Sequence, residues 1–437
     1  MNYLRQILWA CVAVIVIAAT WTTAPAFVQE TSKHVDEETQ LGVVAAERND
    51  LNEAERHFAA AASLAPSDPA TRNNYGAILM RLGRTAQARS EFEASLKLNP
   101  NQPSALTNLA QIYFDGGHVD DLQSARSLLE RAAKITSDPE ISRALVITVL
   151  ALARSQMLDH DLRAAGRTLE SALANGSDDA KIYAALAEVY EADGRYENAI
   201  PAMRLALQRD PHNEAYHFRY GLLLTDSHAP GAGMVRLQEA LKQFPTSARL
   251  WLALGIAQLA YGQNGEAEKS FKQSLAIDPK AVPALAYLGV TYVERGLYDN
   301  GIDFYQQAIA LNPQLAALHY LVADTMLKSS VADTTQVEKY LKRALELDPN
   351  LAAAYLAWGR LYVRANRYAE AAPMLERAVS LQPNLLEAHY QLSRVLIKLR
   401  RTDEANRELE TFKQLSEKQK AENEPRDIAR RLANVRF

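Results

Sequence analysis

Residues 248–279 read ARLWLALGIAQLAYGQNGEAEKSFKQSLAIDP. Leu250, Trp251, Leu254, Ile256, Ala257 and Leu259 fall at helical spacing, residues 262–265 interrupt it, and Ala267, Phe271, Leu275 and Ile277 resume it. The pattern predicts two antiparallel helices. Ala267 is small enough to let them approach, and Phe271 is large enough to fill the seam between them. Asp278-Pro279 ends the second helix, because the residue before a proline is pushed out of the α region. One such pair cannot bury its own apolar face, so it requires copies stacked on either side.

The prolines mark those copies. Pro211, Pro245, Pro279 and Pro313 recur at intervals of 34 residues, as do Pro66 and Pro100, and Pro349 and Pro383. The interval stretches to 36 between Pro313 and Pro349 and to 39 between Pro100 and Pro139. The 72 residues from Pro139 to Pro211 leave room for two units with Asn175-Gly176 at their boundary. A 34-residue period with Trp251-x2-Leu254-Gly255, a small residue, an aromatic and a closing proline resembles the tetratricopeptide repeat (TPR) family. The Leu-Gly position recurs as Leu41-Gly42, Tyr75-Gly76, Leu109-Ala110, Leu186-Ala187, Tyr220-Gly221, Leu288-Gly289, Trp358-Gly359 and Leu392-Ser393. The small position recurs as Ala54, Ala88, Ala125, Ala199, Ala371 and Ala405. The resemblance implies an all-α chain, an α-solenoid of about eleven helix-turn-helix repeats over residues 35–416 forming a right-handed superhelix.

Composition agrees with an ordered array. The 437 residues are 48% hydrophobic and 23% charged, with 18 Gly and 17 Pro, and a repeat array can reach this length as one domain. A net charge of -4 implies no nucleic-acid partner. Cys11 is the single cysteine, so the repeats hold no thiol for a disulfide, a metal or nucleophilic catalysis.

At the N-terminus, Arg5, the apolar run of residues 7–19 and Ala24-x-Ala26 read as a secretory signal peptide over residues 1–26. The rival reading is a retained membrane anchor, with Trp9 and Trp21 near the two interfaces. Both readings place the repeats outside the cytoplasm, periplasmic or secreted, and any membrane contact would run through this segment. Residues 27–34 read as a linker and residues 417–437 as a charged capping helix or tail.

Four regions depart from the period. The extra residues of the 39-residue interval are expected in the turn of residues 115–121, whose carboxylates lack the spacing of a calcium loop. Residues 141–150 are apolar nearly all round, and no Leu-Gly pair is evident in the fourth repeat. Residues 228–233 predict a late start, near Met234, for the second helix of repeat six. Residues 329–335 predict a longer turn in repeat nine.

No catalytic, cofactor-binding or metal site emerges. His217, His319 and His389 occupy the position of Trp251, where TPR repeats pack on one another, and Asp159-His160-Asp161 reads as a turn and cap. There is no phosphate loop, nucleophile elbow or paired-carboxylate signature. The expectation is a non-enzymatic scaffold for a protein or peptide partner.

The resemblance also implies which side chains look inward, since the first helix of each TPR repeat lines the groove. In repeats two and three these positions hold polar residues, among them Asn74 and Asn108, like the asparagine ladder that TPR peptide binders use on an extended backbone. In repeats six to eight they hold Phe218, Leu222, Leu252, Ile256, Leu259, Tyr287 and Val290. In repeats nine to eleven they hold Tyr320, Leu321, Leu356 and Tyr390, an apolar stripe suited to a partner segment. Arg360, Arg364, Arg394 and Lys398 make the far end basic, although not in the positions of the TPR carboxylate clamp. A regulatory or substrate-recruiting subunit of an envelope enzyme complex, such as a glycosyltransferase or polysaccharide export machinery, is the second reading.

Overall fold

The structure, a computed structural model, describes residues 26–329 and 333–421. Among the described residues there are 22 helices and no strand. They pair in sequence and fall into two units, residues 1–210 and 211–437. In the first unit the pairs are α1 (Ala26–Glu47) with α2 (Leu51–Leu64), α3 (Pro69–Arg81) with α4 (Thr85–Leu98), α5 (Pro103–Gly116) with α6 (Val119–Ile135), α7 (Pro139–Leu158) with α8 (Leu162–Ala174), and α9 (Ala180–Ala192) with α10 (Tyr196–Arg209). In the second they are α11 (Glu214–Asp226) with α12 (Pro230–Gln243), α13 (Ala248–Tyr261) with α14 (Asn264–Ile277), α15 (Val282–Glu294) with α16 (Tyr298–Leu311), α17 (Ala316–Lys328) with α18 (Thr334–Leu347), α19 (Ala352–Arg364) with α20 (Tyr368–Leu381), and α21 (Leu386–Lys398) with α22 (Thr402–Ala421).

Each pair is closed by complementary volumes. Gly255 and Gly289 face Phe271 and Tyr305, and a Cβ added at either glycine would lie 2.4 Å or 2.3 Å from the ring. Both rings are fully buried. Alanine also serves at this position: Ala187 accompanies Met203 and Ala323 accompanies Leu341, again buried, while Gly221 and Gly359 face Leu237 and Leu375. Interiors packed to crystal-like density demand this exchange of size between facing positions. The small residue one helix further on, Ala54, Ala88, Ala125, Ala199, Ala267, Ala371 or Ala405, is at most 1% exposed in every case.

A second device ties five of the first helices to the loop before them. Trp251 Nε1 donates to the Pro245 carbonyl at 3.0 Å, and His217, His319 and His389 do the same through Nε2 to the carbonyls of Pro211, Pro313 and Pro383 at 2.9, 3.0 and 2.9 Å. Arg72 Nε reaches the Pro66 carbonyl at 3.0 Å from the same position. The histidines are therefore packing residues with a hydrogen-bonding task. A proline-terminated loop exposes carbonyls that no helix satisfies, and a ring N–H six residues on supplies the donor.

The fourth repeat is regular once its register is found. Thr168 Oγ1 donates to Gln156 Oε1 at 2.9 Å, just as Ser270 Oγ donates to Gln258 Oε1 at 2.7 Å in repeat seven, both pairs buried and 12 residues apart. Aligning Gln156 with Gln258 puts Leu152-Ala153 at the Leu-Gly position, Ala165 at the small position and Leu169 opposite Phe271, all at most 2% exposed. What is unusual is the start of α7, which runs about two turns further toward its N-terminus than a standard first helix.

Several boundaries differ from the sequence expectation. Residues 27–34, read as a linker, belong to α1, since no proline or glycine lies between Pro25 and Gly42. The turn between α5 and α6 is only Gly117 and His118, with Gly117 at φ +73°, and the added length appears in the 17-residue α6. Helix α12 starts at Pro230 rather than near Met234, because proline is favourable in a first turn. Gly233 takes the small position there, against Thr225 Oγ1 and the Gly221 carbonyl. In repeat nine, α18 begins at Thr334 with Asp333 capping it, and residues 330–332 lie outside the described residues. The signal-peptide or anchor segment up to residue 25, Cys11 with it, and the tail beyond residue 421 also lie outside them.

Candidate partner-binding face

In the second unit the first helices touch their neighbours: α11 meets α13, α13 meets α15, α17 meets α19, and α19 meets α21. The residues expected to look inward lie along these helices and differ in how open they are. Phe218, Leu222, Leu252, Ile256, Tyr320 and Leu321 are half-buried, their inner portions resting on the repeat cores and the remainder open. Tyr390 is 40% exposed and tilts over Phe412, the ring centroids 5.3 Å apart. Arg249 lies over the Phe218 ring at 4.6 Å.

Leu259, Val290 and Leu356 depart from the expectation: at 1%, 8% and 7% exposure they are core residues and offer a partner almost nothing. Ala253, Ala286 and Ala357 on the same three helices are buried as well, and side chains this small let adjacent first helices approach until the aliphatic residues between them are covered. Tyr287 is half-buried and stacks on Phe271 at 5.5 Å with planes 16° apart. Burial, assisted by the Asp226 carboxylate, pushes its phenol far above the ordinary value. It serves the seam more than the surface.

The basic end is more organised than its sequence suggests. Arg360 is not free: its Nη1 lies 3.2 Å from Asp324 Oδ1 and its Nε 3.5 Å from Glu387 Oε1. Asp324, 7% exposed, also binds Lys328 at 2.8 Å. Arg364, Arg394 and Lys398 are exposed, with the Arg394 guanidinium 5.6 Å from the Tyr390 ring centroid. Asp324 and Glu387 were missed from sequence, although Asp324 stands at the same inward position of repeat nine as Arg360 in repeat ten and Ile256 in repeat seven. An acid among apolar residues at one recurring position was the available signal.

In the first unit the asparagines are arranged differently from a ladder. Asn108 Nδ2 donates to Asn73 Oδ1 at 3.1 Å, so the rung runs from Asn108 to the buried Asn73 and bypasses Asn74. Gln111 is likewise engaged, donating to Asp115 at 2.9 Å.

The geometry of stacked helix pairs agrees with comparisons to known proteins. A tetratricopeptide repeat profile matches residues 45–112, 79–146, 224–288, 258–325 and 362–414, and a second matches residues 180–223. Among relatives, the TPR repeat-containing protein YpiA of Bacillus subtilis is 24% identical over 262 residues, 60% of this chain and 60% of that protein. Cellulose synthase operon protein C of Pseudomonas fluorescens is 21% identical over 354 residues, 77% of this chain and 27% of that protein. The chain thus spans less than two thirds of the length of either relative. The crystal structure of yeast Tom70 aligns with a TM-score of 0.49 at 16% identity, covering 93% of this chain and 95% of that one. With the profile matches extending over more than half of its length, the chain belongs to the tetratricopeptide repeat family.

Proposed function

We propose that the chain is a non-enzymatic scaffold that holds a partner protein by a segment laid along the first helices of repeats six to eleven. The observation that carries this is the row of half-buried apolar side chains, Phe218, Leu222, Leu252, Ile256, Tyr320 and Leu321, continued by the exposed Tyr390. Open apolar surface on the first helices of repeats six, seven, nine and eleven favours an interaction site, repeat eight being closed by Tyr287 and Val290. Each anchor that a partner covers fully contributes ~1.5–3 kcal/mol, against ~4–15 kcal/mol lost on association. Since these side chains are already partly covered, the segment must reach across several repeats to bind at all. The location outside the cytoplasm rests on the signal-like residues 1–26.

Affinity capture with the full chain, followed by identification of the retained protein, tests this reading. Leu252→Glu with Tyr320→Glu is expected to reduce capture by about 100-fold or more, the loss of two anchors, while circular dichroism stays helical. Undiminished capture by the double variant would remove the groove from the account. The likeness to cellulose synthase operon protein C favours a second reading, in which the partner is an enzyme of an envelope polysaccharide machine and the scaffold regulates it or recruits its substrate.

A further inference from the structure

At the far end of the second unit, Leu327 of α17, Arg360, Val363 and Arg364 of α19, and Gln391 and Arg394 of α21 enclose an open pocket of about 190 Å³. All six stand on the first helices, on the inward-facing positions, so the pocket continues the apolar row described above. Its floor is fixed. The buried Asp324 takes Arg360 and Lys328 together, and Glu387 holds Arg360 from the next repeat, so the Arg360 guanidinium is already neutralised. Arg364 and Arg394 are exposed, and among the described residues neither is paired with a carboxylate. Four cations, Lys328, Arg360, Arg364 and Arg394, thus accompany the two carboxylates Asp324 and Glu387.

We infer that this pocket receives an acidic side chain, Glu or Asp, carried within the partner segment next to apolar residues. The inference rests on the reading that a partner lies along the first helices and adds what one part of that partner must be. The guanidiniums of Arg364 and Arg394 are planar donors suited to a carboxylate, and hydrogen bonds between ions are the strong ones. Val363 gives the methylene stem of the acid an apolar wall, and the Gln391 amide adds a further donor.

Selection of random 12-residue peptides displayed on phage against the purified full chain provides the test, because peptides displayed by their C-terminal end have no free terminal carboxylate to compete. Enriched clones are expected to carry Glu or Asp beside bulky apolar residues. Arg364→Gln with Arg394→Gln, both at exposed positions, should lower retention of these clones at least tenfold without changing the melting temperature. As a check independent of the protein variant, the best clone is synthesised with its acid changed to the corresponding amide, and this peptide should lose at least tenfold in binding to the unaltered chain. Enriched clones without acids, or acidic clones that bind the double variant or tolerate the amide change, would overturn the inference and leave the apolar groove standing. Clones whose retention is unaffected by Leu252→Glu with Tyr320→Glu would instead remove the groove and the inference with it.

Discussion

In repeats two and three of the first unit the first helices carry polar residues at inward positions, and these are turned upon one another: Asn108 donates to Asn73 and Gln111 to Asp115. In the second unit the same positions carry Leu252, Ile256, Tyr320 and Leu321, which are only half-buried, and then the arginines around the 190 Å³ pocket. The helix pairs behind both faces are closed by the same exchange of volumes, Gly76 against Phe92 in the first unit as Gly255 against Phe271 in the second. The scaffold is thus common to the two units, and the difference lies in the side chains that stacking does not need. A face that satisfies its own amides has little left to offer a ligand, whereas an open apolar row gains free energy when it is covered.

The seam gives the largest expected stability effect and shows how far the common scaffold extends. Gly289→Ala in the second unit sets a Cβ against the Tyr305 ring and should destabilise by about 1–3 kcal/mol, read from urea unfolding. The reverse change at the matching position of the first unit, Ala187→Gly, beside the smaller Met203, should cost the helix penalty of glycine and one buried methyl, about 1–2 kcal/mol. Equal and small losses at both sites would mean that the two units do not share the packing rule.

A smaller effect belongs to an ionic contact between repeats seven and eight. Glu268 accepts from Lys272 at 2.7 Å, Tyr292 at 2.8 Å and Arg295 at 2.5 Å. The Lys272 hydrogen bond first, with the other two donors and the lysine charge, holds its carboxyl below the ordinary value despite partial burial. A carboxylate depressed in the folded state stabilises above the unfolded value of ~4.3, and that stability disappears as pH falls through the lower folded value. Glu268→Gln should therefore lower stability by up to about 1 kcal/mol at neutral pH, and the gap from the unaltered protein should close in acid. In the first unit the corresponding tyrosine-to-carboxylate contact joins Tyr190 to Glu170 at 2.7 Å, with burial and that hydrogen bond pushing the phenol up to about 12.

Much of this architecture was legible in the sequence because period and volume are properties of residues alone. The closing prolines and the small positions located the repeats. Repeat four was obscured because the added turns of α7 are apolar, hiding where the standard helix begins. The start of α12 was misplaced because Pro230 and Gly231 look like breakers when read singly, whereas a first turn accepts them. The binding face was legible only as a list of positions. Whether a position is open depends on the size of its neighbour on the next helix, so Leu259, Val290 and Leu356 are covered while Leu252 and Tyr320 are partly open. The pairing of Arg360 with Asp324 depends on two repeats at once, and no single repeat discloses it.

Thiol labelling tests the central claim most directly. In a background with Cys11 replaced by serine, single cysteines are placed at Leu252 and Tyr320 in the second unit and at Asn74 in the first, and alkylation rates are measured with and without a peptide selected on the full chain. The account predicts labelling at all three positions in the free protein and strong protection by the peptide at 252 and 320 only. Peptide protection at 74 with none at 252 and 320, or failure of 252 and 320 to label in the folded free protein, would contradict it.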